Sequence, residues 1–297
     1  MESIGFAGAG MMGRGICANL LKAGHPVAVF AHRNRKPIDE LLAQGASEAK
    51  TLADLAAGAD LLMICVNSAQ TVEEIVNGPG AKLRRGAAVI DVTTSLPETS
   101  RRLAEMLAAR GIDFLDAPVV GGPPQAAQGK LGTLAGGSEA AFARLKPIIA
   151  RYSSDITRFG GPGAGNAAKL LNNFLSVGSR ALIAQAFGAA RRHGIDWKAL
   201  YPMLAKGAAG SRTMETMIGP ALEGNYRGNQ FSIANCLKDM RYAAVMVGDD
   251  PDGAKLQQDM EAYFRRFVDA GFGAQMASEL LDPTLLAKLP AHAPDQA

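Results

Sequence analysis

Short apolar runs at residues 3–7, 27–31, 61–66, 88–91 and 113–115 are bounded by turn-forming residues. The stretches between them, at 12–22, 38–44, 52–57, 72–76 and 98–110, carry apolar residues at helical spacing. Short apolar runs of this kind predict strands, and recurrence at three and four residues predicts amphipathic helices. Their alternation predicts a mostly parallel, doubly wound sheet. Two further strands are expected at 132–135 and 156–159, flanking a helix at 138–150. Beyond Gly165 the pattern changes. Ala167, Leu170, Leu171, Phe174, Leu175, Leu182, Ile183, Ala186 and Phe187 predict one long helix over 166–193. More helices are expected at 197–205, 211–217, 236–247 and 255–270, with no strand among them. The glycine-rich run 160–165 reads as a linker or hinge. The fold class is thus α/β for an N-terminal domain over 1–162, joined by a long helix to an all-α C-terminal domain over 163–297. The Pro- and Ala-rich tail from 283 is expected to fray.

Composition narrows the function. A length of 297 residues suits two domains with substantial cores. The net charge of +3, with no concentrated basic stripe, argues against a nucleic-acid partner. Cys17, Cys65 and Cys236 lie far apart without ligand spacing, and no two histidines pair, so no metal site is expected. Cys17 and Cys65 fit small buried hydrophobes. The first strand begins almost at once, leaving no room for a signal peptide, and no apolar run is long enough to span a bilayer. A soluble, cytoplasmic protein with no membrane partner is expected.

Gly8, Gly10 and Gly13, with Met11 and Met12 between them, follow the first strand and open the first helix, the context a dinucleotide fingerprint requires. Gly8 permits the tight turn, Gly10 lets backbone approach a pyrophosphate and Gly13 lets helix and strand pack closely. An acid usually ends the second strand to bind the ribose of NAD; here the chain reads Ala31-His32-Arg33-Asn34-Arg35-Lys36. Three cations and no carboxylate suit a 2′-phosphate, so NADP is expected as the cofactor, with NAD possible.

The loop after the strand at 113–115 reads Asp116-Ala-Pro-Val-Val-Gly-Gly122. It lies at the carboxyl end of a parallel sheet, where Gly121 and Gly122 could turn N–H groups toward a carboxylate, or could simply form a tight turn with Pro123 and Pro124. Lys169 and Asn173 stand four residues apart on the long helix and so share one face. A lysine in a partly desolvated cleft becomes usable for proton transfer near neutral pH. A solvated surface charge is the competing reading.

In their order, these motifs resemble those of the β-hydroxyacid dehydrogenase family, which includes 3-hydroxyisobutyrate dehydrogenases and tartronate semialdehyde reductases. The resemblance runs from about Ile4 to Ala243 and includes Asn19-Leu20, Gly24-His25, Asp91-Val-Thr-Thr94 with Pro97, and Lys238-Asp239. It implies a Rossmann domain, a connecting helix and a helical domain that commonly forms dimers or tetramers, so a homodimer or homotetramer is expected. It implies Lys169 as proton donor and acceptor and Asn173 as a substrate-orienting group. Residues 120–122 would hold the substrate carboxylate. The cofactor would meet His32, Arg33, Asn34, Val66, Asn67, Thr94 and Lys238, and Asp239 would reach the substrate. Val120 departs from the family's usual Ser, and Val66-Asn67, Ala9 and Gly15 also differ from commoner residues. The activity implied is reversible hydride transfer between NAD(P) and a small 3-hydroxy acid or its semialdehyde. Reduction of another carbonyl or an imine, or a catalytically idle dinucleotide-binding protein, are the alternatives.

Overall fold

The computed structural model describes residues 1–32 and 34–289. The chain divides into two compact units, Met1–Lys169 and Leu170–Ala297. In the first, elements follow in the order β1 (Ile4–Ala7), α1 (Met11–Lys22), β2 (Val27–Val29), α2 (Lys36–Leu42), β3 (Ser47–Glu48), α3 (Leu52–Ala57), β4 (Leu61–Ile64) and α4 (Ala69–Asn77). Next come β5 (Ala88–Asp91), α5 (Pro97–Ala109), β6 (Asp113–Asp116), β7 (Val119–Val120), α6 (Pro123–Gln128), β8 (Leu131–Gly136), α7 (Glu139–Ile149) and β9 (Ser153–Gly160). The helix α8 (Ala164–Arg192) leads into α9 (Trp197–Lys206), α10 (Arg212–Leu222), α11 (Ile233–Val247), α12 (Pro251–Phe267) and α13 (Pro283–Leu286).

Strands β3-β2-β1-β4-β5-β6 pair in parallel in that order. β8 continues the sheet antiparallel to β6 and β7 and parallel to β9. Every residue of β1, β4 and β5 is buried, as parallel strands covered on both faces must be. Alternation along β4 sends Leu61 and Met63 into the core that contains Ile16 and Leu20 of α1. Leu62 and Ile64 enter the opposite core with Leu55, Val72 and Leu103. The sheet is therefore doubly wound, as the alternating pattern predicts.

Three elements escape that pattern. β3 and β7 have two residues each, too short for a periodic signal. α6 lies in the stretch that also reads as a Pro-Pro turn, and its packing explains a glycine the pattern left unassigned. A Cβ on Gly15 would lie 2.7 Å from the Ala126 carbonyl carbon and 2.8 Å from the Ala127 nitrogen. Asn19, one turn further along α1, donates through Nδ2 to the Ala126 carbonyl at 2.8 Å. The first helix thus holds the short helix that follows the Val120–Gly122 loop.

The run at 160–165 is a packed crossing more than a slack linker. Cβ atoms on Gly163 and Gly165 would lie 2.6 Å from the Pro97 carbonyl oxygen and 2.4 Å from that of Leu134. Gly163 also has φ +88°, which an L side chain rarely adopts.

The second unit is helical; among its described residues the one β-type pairing is an isolated bridge between Ser232 and Met276. Phe187, Met217, Ile233, Met240, Phe264 and Phe267 form its core. Trp197 packs edge-on against Phe187 and donates its indole N–H to the Phe187 carbonyl at 2.9 Å. The start of the tail forms α13, and residues 290–297 lie outside the described residues. Among the described residues no helix is long and apolar enough to cross a membrane.

Because the atoms facing Gly15 are backbone, Gly15→Ala is expected to destabilise the first unit by about 1–3 kcal/mol, the usual cost of overpacking. Urea unfolding of the two proteins measures this, and an unchanged midpoint would show that α6 can shift freely.

Candidate active site

The parallel order reverses direction between β1 and β4, and in such sheets ligands bind beyond the carboxyl ends of the strands at that point. The glycines of the fingerprint meet there. Gly8 has φ +103°, and a Cβ on it would lie 2.1 Å from the Cys65 carbonyl oxygen. A Cβ on Gly13 would lie 2.2 Å from the Gly8 carbonyl oxygen. Gly10 differs, because a Cβ there would meet no protein atom within 4 Å. The protein requires two of these glycines; the third keeps open space at the start of α1. That helix begins without a side-chain cap and without an acid in its first turn, whereas Thr51, Ser68 and Ser138 cap α3, α4 and α7. First-turn N–H groups and the helix dipole therefore suit the pyrophosphate of a dinucleotide.

The loops after β4 and β5 are tied together. Val66 N–H donates to Thr93 Oγ1 at 3.1 Å, and Thr93 N–H donates to Asp91 Oδ1 at 2.9 Å. These bonds set the loops that carry Asn67, exposed, and Thr94, half-buried. Past β2, His32 and Asn34 are exposed, and Arg33 lies outside the described residues. Of the three cations, Arg35 is engaged elsewhere. Its two terminal nitrogens grip Glu48 at 2.6 and 2.8 Å, and its Nε bonds Asp39 at 2.7 Å. A 2′-phosphate would have to rely on Arg33 and Lys36.

At the end of β6, Asp116 is fully buried. Its Oδ1 accepts from Gly163 N–H and its Oδ2 from Asn166 N–H, each at 2.8 Å. Burial pushes its pKa up to about 6, against the pull of the N–H groups of Asn166 and Gly163. The carboxylate thus holds the first turn of α8 from outside, satisfying donors that no residue inside the helix can reach. Asn166 extends the brace. It accepts from Ser95 N–H at 2.9 Å and donates to Ser100 Oγ at 3.0 Å, fixing the loop that holds Thr94 to the start of α8. Lys169, half-buried, follows three residues later. Nothing in the sequence pattern marks Asn166, Ser95 or Ser100, because their bonds join segments far apart in the chain.

The Val120–Gly122 loop is narrower than its sequence suggests. Val120 pairs with Gly132, and a Cβ on Gly132 would lie 2.6 Å from Val120 Cγ2, so that glycine makes room for the valine. Gly122 N–H does not stand open, since it donates to Gln125 Oε1 at 3.0 Å, from the first turn of α6. Gly121, with φ +114°, is left as the backbone donor of the pair among the described residues.

In the second unit, Asn173 is buried and donates Nδ2–H to Asp239 Oδ2 at 2.6 Å, while its oxygen accepts from Asn172 at 2.9 Å. Asp239, also buried, pairs through Oδ1 with Lys238 Nζ at 2.9 Å. Lys238 lies over the Tyr242 ring, 5.1 Å from its centroid. Asp239 therefore acts on the orientation of Asn173, which keeps a second amide N–H for a ligand.

A Rossmann sheet with an open glycine cradle and a lysine-bearing helix defines the protein as an NAD(P)-binding oxidoreductase. Residues 3–161 match the NAD-binding domain of 6-phosphogluconate dehydrogenase, and residues 163–282 match the family described as NAD-binding of NADP-dependent 3-hydroxyisobutyrate dehydrogenase. A 3-hydroxyisobutyrate dehydrogenase of Pseudomonas aeruginosa is 36% identical over 71% of this chain and 72% of its own length. The 2-hydroxy-3-oxopropionate reductase of Escherichia coli is 33% identical over 71% of this chain and 73% of its own. The crystal structure of a 3-hydroxyisobutyrate dehydrogenase from Salmonella typhimurium superposes with a TM-score of 0.84, at 30% identity, covering 94% of this chain and 98% of that one. The chain belongs to the β-hydroxyacid dehydrogenase family, whose members bind NAD(P).

The buried Asp116 carboxyl titrates near 6 in the folded protein and near 3.9 when unfolded. Between those values the folded state holds a proton that the unfolded chain lacks. Its contribution to stability therefore rises as pH falls through that window and is lost as pH rises past 6. The difference in unfolding free energy between wild type and Asp116→Asn is expected to move toward wild type by about 1 kcal/mol from pH 7 to pH 5. Equal differences at both pH values would contradict the raised pKa.

Proposed function

We propose that this protein catalyses reversible hydride transfer between NADP and a small 3-hydroxy acid or its semialdehyde. The observation that carries this reading is the brace that seats Lys169: Asp116 and Asn166 fix the first turn of α8, one turn before the lysine. NADP supplies the hydride acceptor in oxidation and the donor in reduction. In oxidation, Lys169 as the neutral amine takes the hydroxyl proton; in reduction, Lys169 as ammonium returns it. Asn173, its amide aimed by Asp239, donates to the substrate oxygen and stabilises charge that develops there. The Gly121 N–H receives the substrate carboxylate, and Val120 supplies an apolar wall where a hydroxyl would add a donor. Lys238 contributes positive charge toward cofactor or substrate.

NADP is preferred over NAD on the strength of Arg33, Lys36 and the missing acid after β2. A homodimer or homotetramer is supported by apolar residues that α8 leaves in solvent, with Leu175 71% and Leu182 67% exposed. Residues of this kind normally need cover when they recur along one helix.

Lys169→Ala is expected to keep cofactor affinity near wild type and to lower turnover by about 10²–10⁴-fold. Lys169→Arg should not restore it, because a guanidinium cannot accept the hydroxyl proton. Steady-state rates over a panel of hydroxy acids and semialdehydes, beside titrations with NADPH and NADH, measure both effects. Near-normal turnover in either variant would reduce Lys169 to a surface charge, and tighter binding of NADH than NADPH would overturn the cofactor preference.

A further inference from the structure

The turn after β2 carries three cations, and one of them is held by carboxylates from two different elements. Arg35 is the N-cap of α2, and its carbonyl accepts from the N–H groups of Ile38 and Asp39 at 2.9 and 3.1 Å, so its backbone is fixed. Its Nε bonds Asp39, one turn along α2, while both terminal nitrogens grip Glu48. Glu48 comes from β3, the edge strand of the sheet, where it pairs with Val29, the last residue of β2. Val29 faces the core that includes Ile38 and Leu41 of α2. Ladder partners share a face of the sheet, so Glu48 points toward α2 as well. Its carboxylate therefore stands beside the carboxyl end of β2, where the adenosine ribose of a dinucleotide and any 2′-phosphate come to rest.

The bonds of Arg35 divide its guanidinium in two. The Nε bond joins residues four apart on one helix and can persist as a pivot. The fork between the terminal nitrogens fits a carboxylate or a phosphate, and Glu48 occupies it. A phosphate monoester brings nearly two negative charges at neutral pH where Glu48 brings one. The pair is open to water, with the Arg35 side chain 54% and the Glu48 side chain 31% exposed. Exposed ion pairs contribute little to stability, so one anion can replace another on the fork at small cost. NADP must break the grip of Glu48 before Arg35 can serve it. NAD, which lacks the phosphate, need not.

We infer that Glu48 sets the balance between NADP and NAD by competing with the 2′-phosphate for the Arg35 fork. Arg35 turns to the phosphate once Glu48 lets go, and Glu48 is a positioning residue that acts through Arg35. The inference rests on the proposed use of NADP. A tether that only joins β3 to α2 is the alternative. It would affect both cofactors alike, because they differ by this phosphate alone.

The test measures dissociation constants for NADPH and NADH by fluorescence titration in wild type, Glu48→Gln, Arg35→Gln and the double variant. Phosphate-free buffer at physiological ionic strength screens charges that are not in contact. Glu48→Gln is expected to bind NADPH about two- to fivefold more tightly, the range for an exposed ion pair, with NADH unchanged. Arg35→Gln should weaken NADPH by about twofold or more and leave NADH unchanged. In the double variant the gain from Glu48→Gln should vanish, since no guanidinium is left to release. An unchanged NADPH constant in Glu48→Gln would overturn the inference, as would an equal change for NADH, the signature of a tether. A gain that survives in the double variant would overturn the route through Arg35. Should Glu48→Gln fail to fold, the loss of NADPH affinity in Arg35→Gln, or its absence, decides the matter. The same titrations separate the two ideas. A wild type that prefers NADPH, with Glu48→Gln indifferent, would sink this inference alone. A wild type that prefers NADH, with a gain for NADPH in Glu48→Gln, would sink the proposed cofactor preference and leave the competition standing.

Discussion

A single buried carboxylate, that of Asp116, accepts two backbone N–H groups at the start of α8, and much of the first unit is arranged around that contact. It lets β6, the glycine crossing and a helix of 29 residues meet without leaving helix-end donors unsatisfied. The cost of burying the charge appears as a carboxyl pKa raised to about 6. The favourable side is two charge-assisted hydrogen bonds and the helix dipole. Close approach is possible only because the neighbours lack side chains. A Cβ on Gly136 would lie 2.6 Å from Asp116 Oδ1, and one on Gly165 would lie 2.6 Å from the Asp116 carbonyl oxygen. The acid, the glycines and Asn166 work as one brace.

Much of the architecture was legible in the sequence because periodicity reports burial directly. β5 matches the expected span 88–91, and α3 the expected 52–57. Extended strands such as β9 run longer than their apolar part, since backbone pairing with β8 carries them through exposed residues. Two-residue strands leave no pattern to read, and α6 hides behind Pro123 and Pro124, which suit a turn and the first turn of a helix equally well.

The candidate site was legible in its motifs and less so in its wiring. Gly8, Gly10 and Gly13 fall where the fingerprint requires, with Gly10 alone facing open space. Side-chain partners were not readable. Nothing in the spacing of Arg35 announces its fork on Glu48, and nothing in Gly122 announces that Gln125 takes its N–H. Gly15 and Gly132 stand where they do because Ala126 and Val120 crowd them, a relation visible only once distant segments meet. The surroundings of the valine at 120 likewise depend on contacts rather than on motifs.

The central claim is that the brace at the start of α8 seats Lys169 for proton transfer. Single-turnover reduction of a semialdehyde by the NADPH-loaded protein, followed by nicotinamide absorbance across pH, tests it in Asn166→Ala. That variant removes the bonds to Ser95 and Ser100 and leaves both Lys169 and the glycine fingerprint in place. The expected result, at saturating NADPH, is a rate lowered about tenfold or more with a displaced pH profile. A wild-type rate and pH profile in a folded Asn166→Ala protein would contradict the claim.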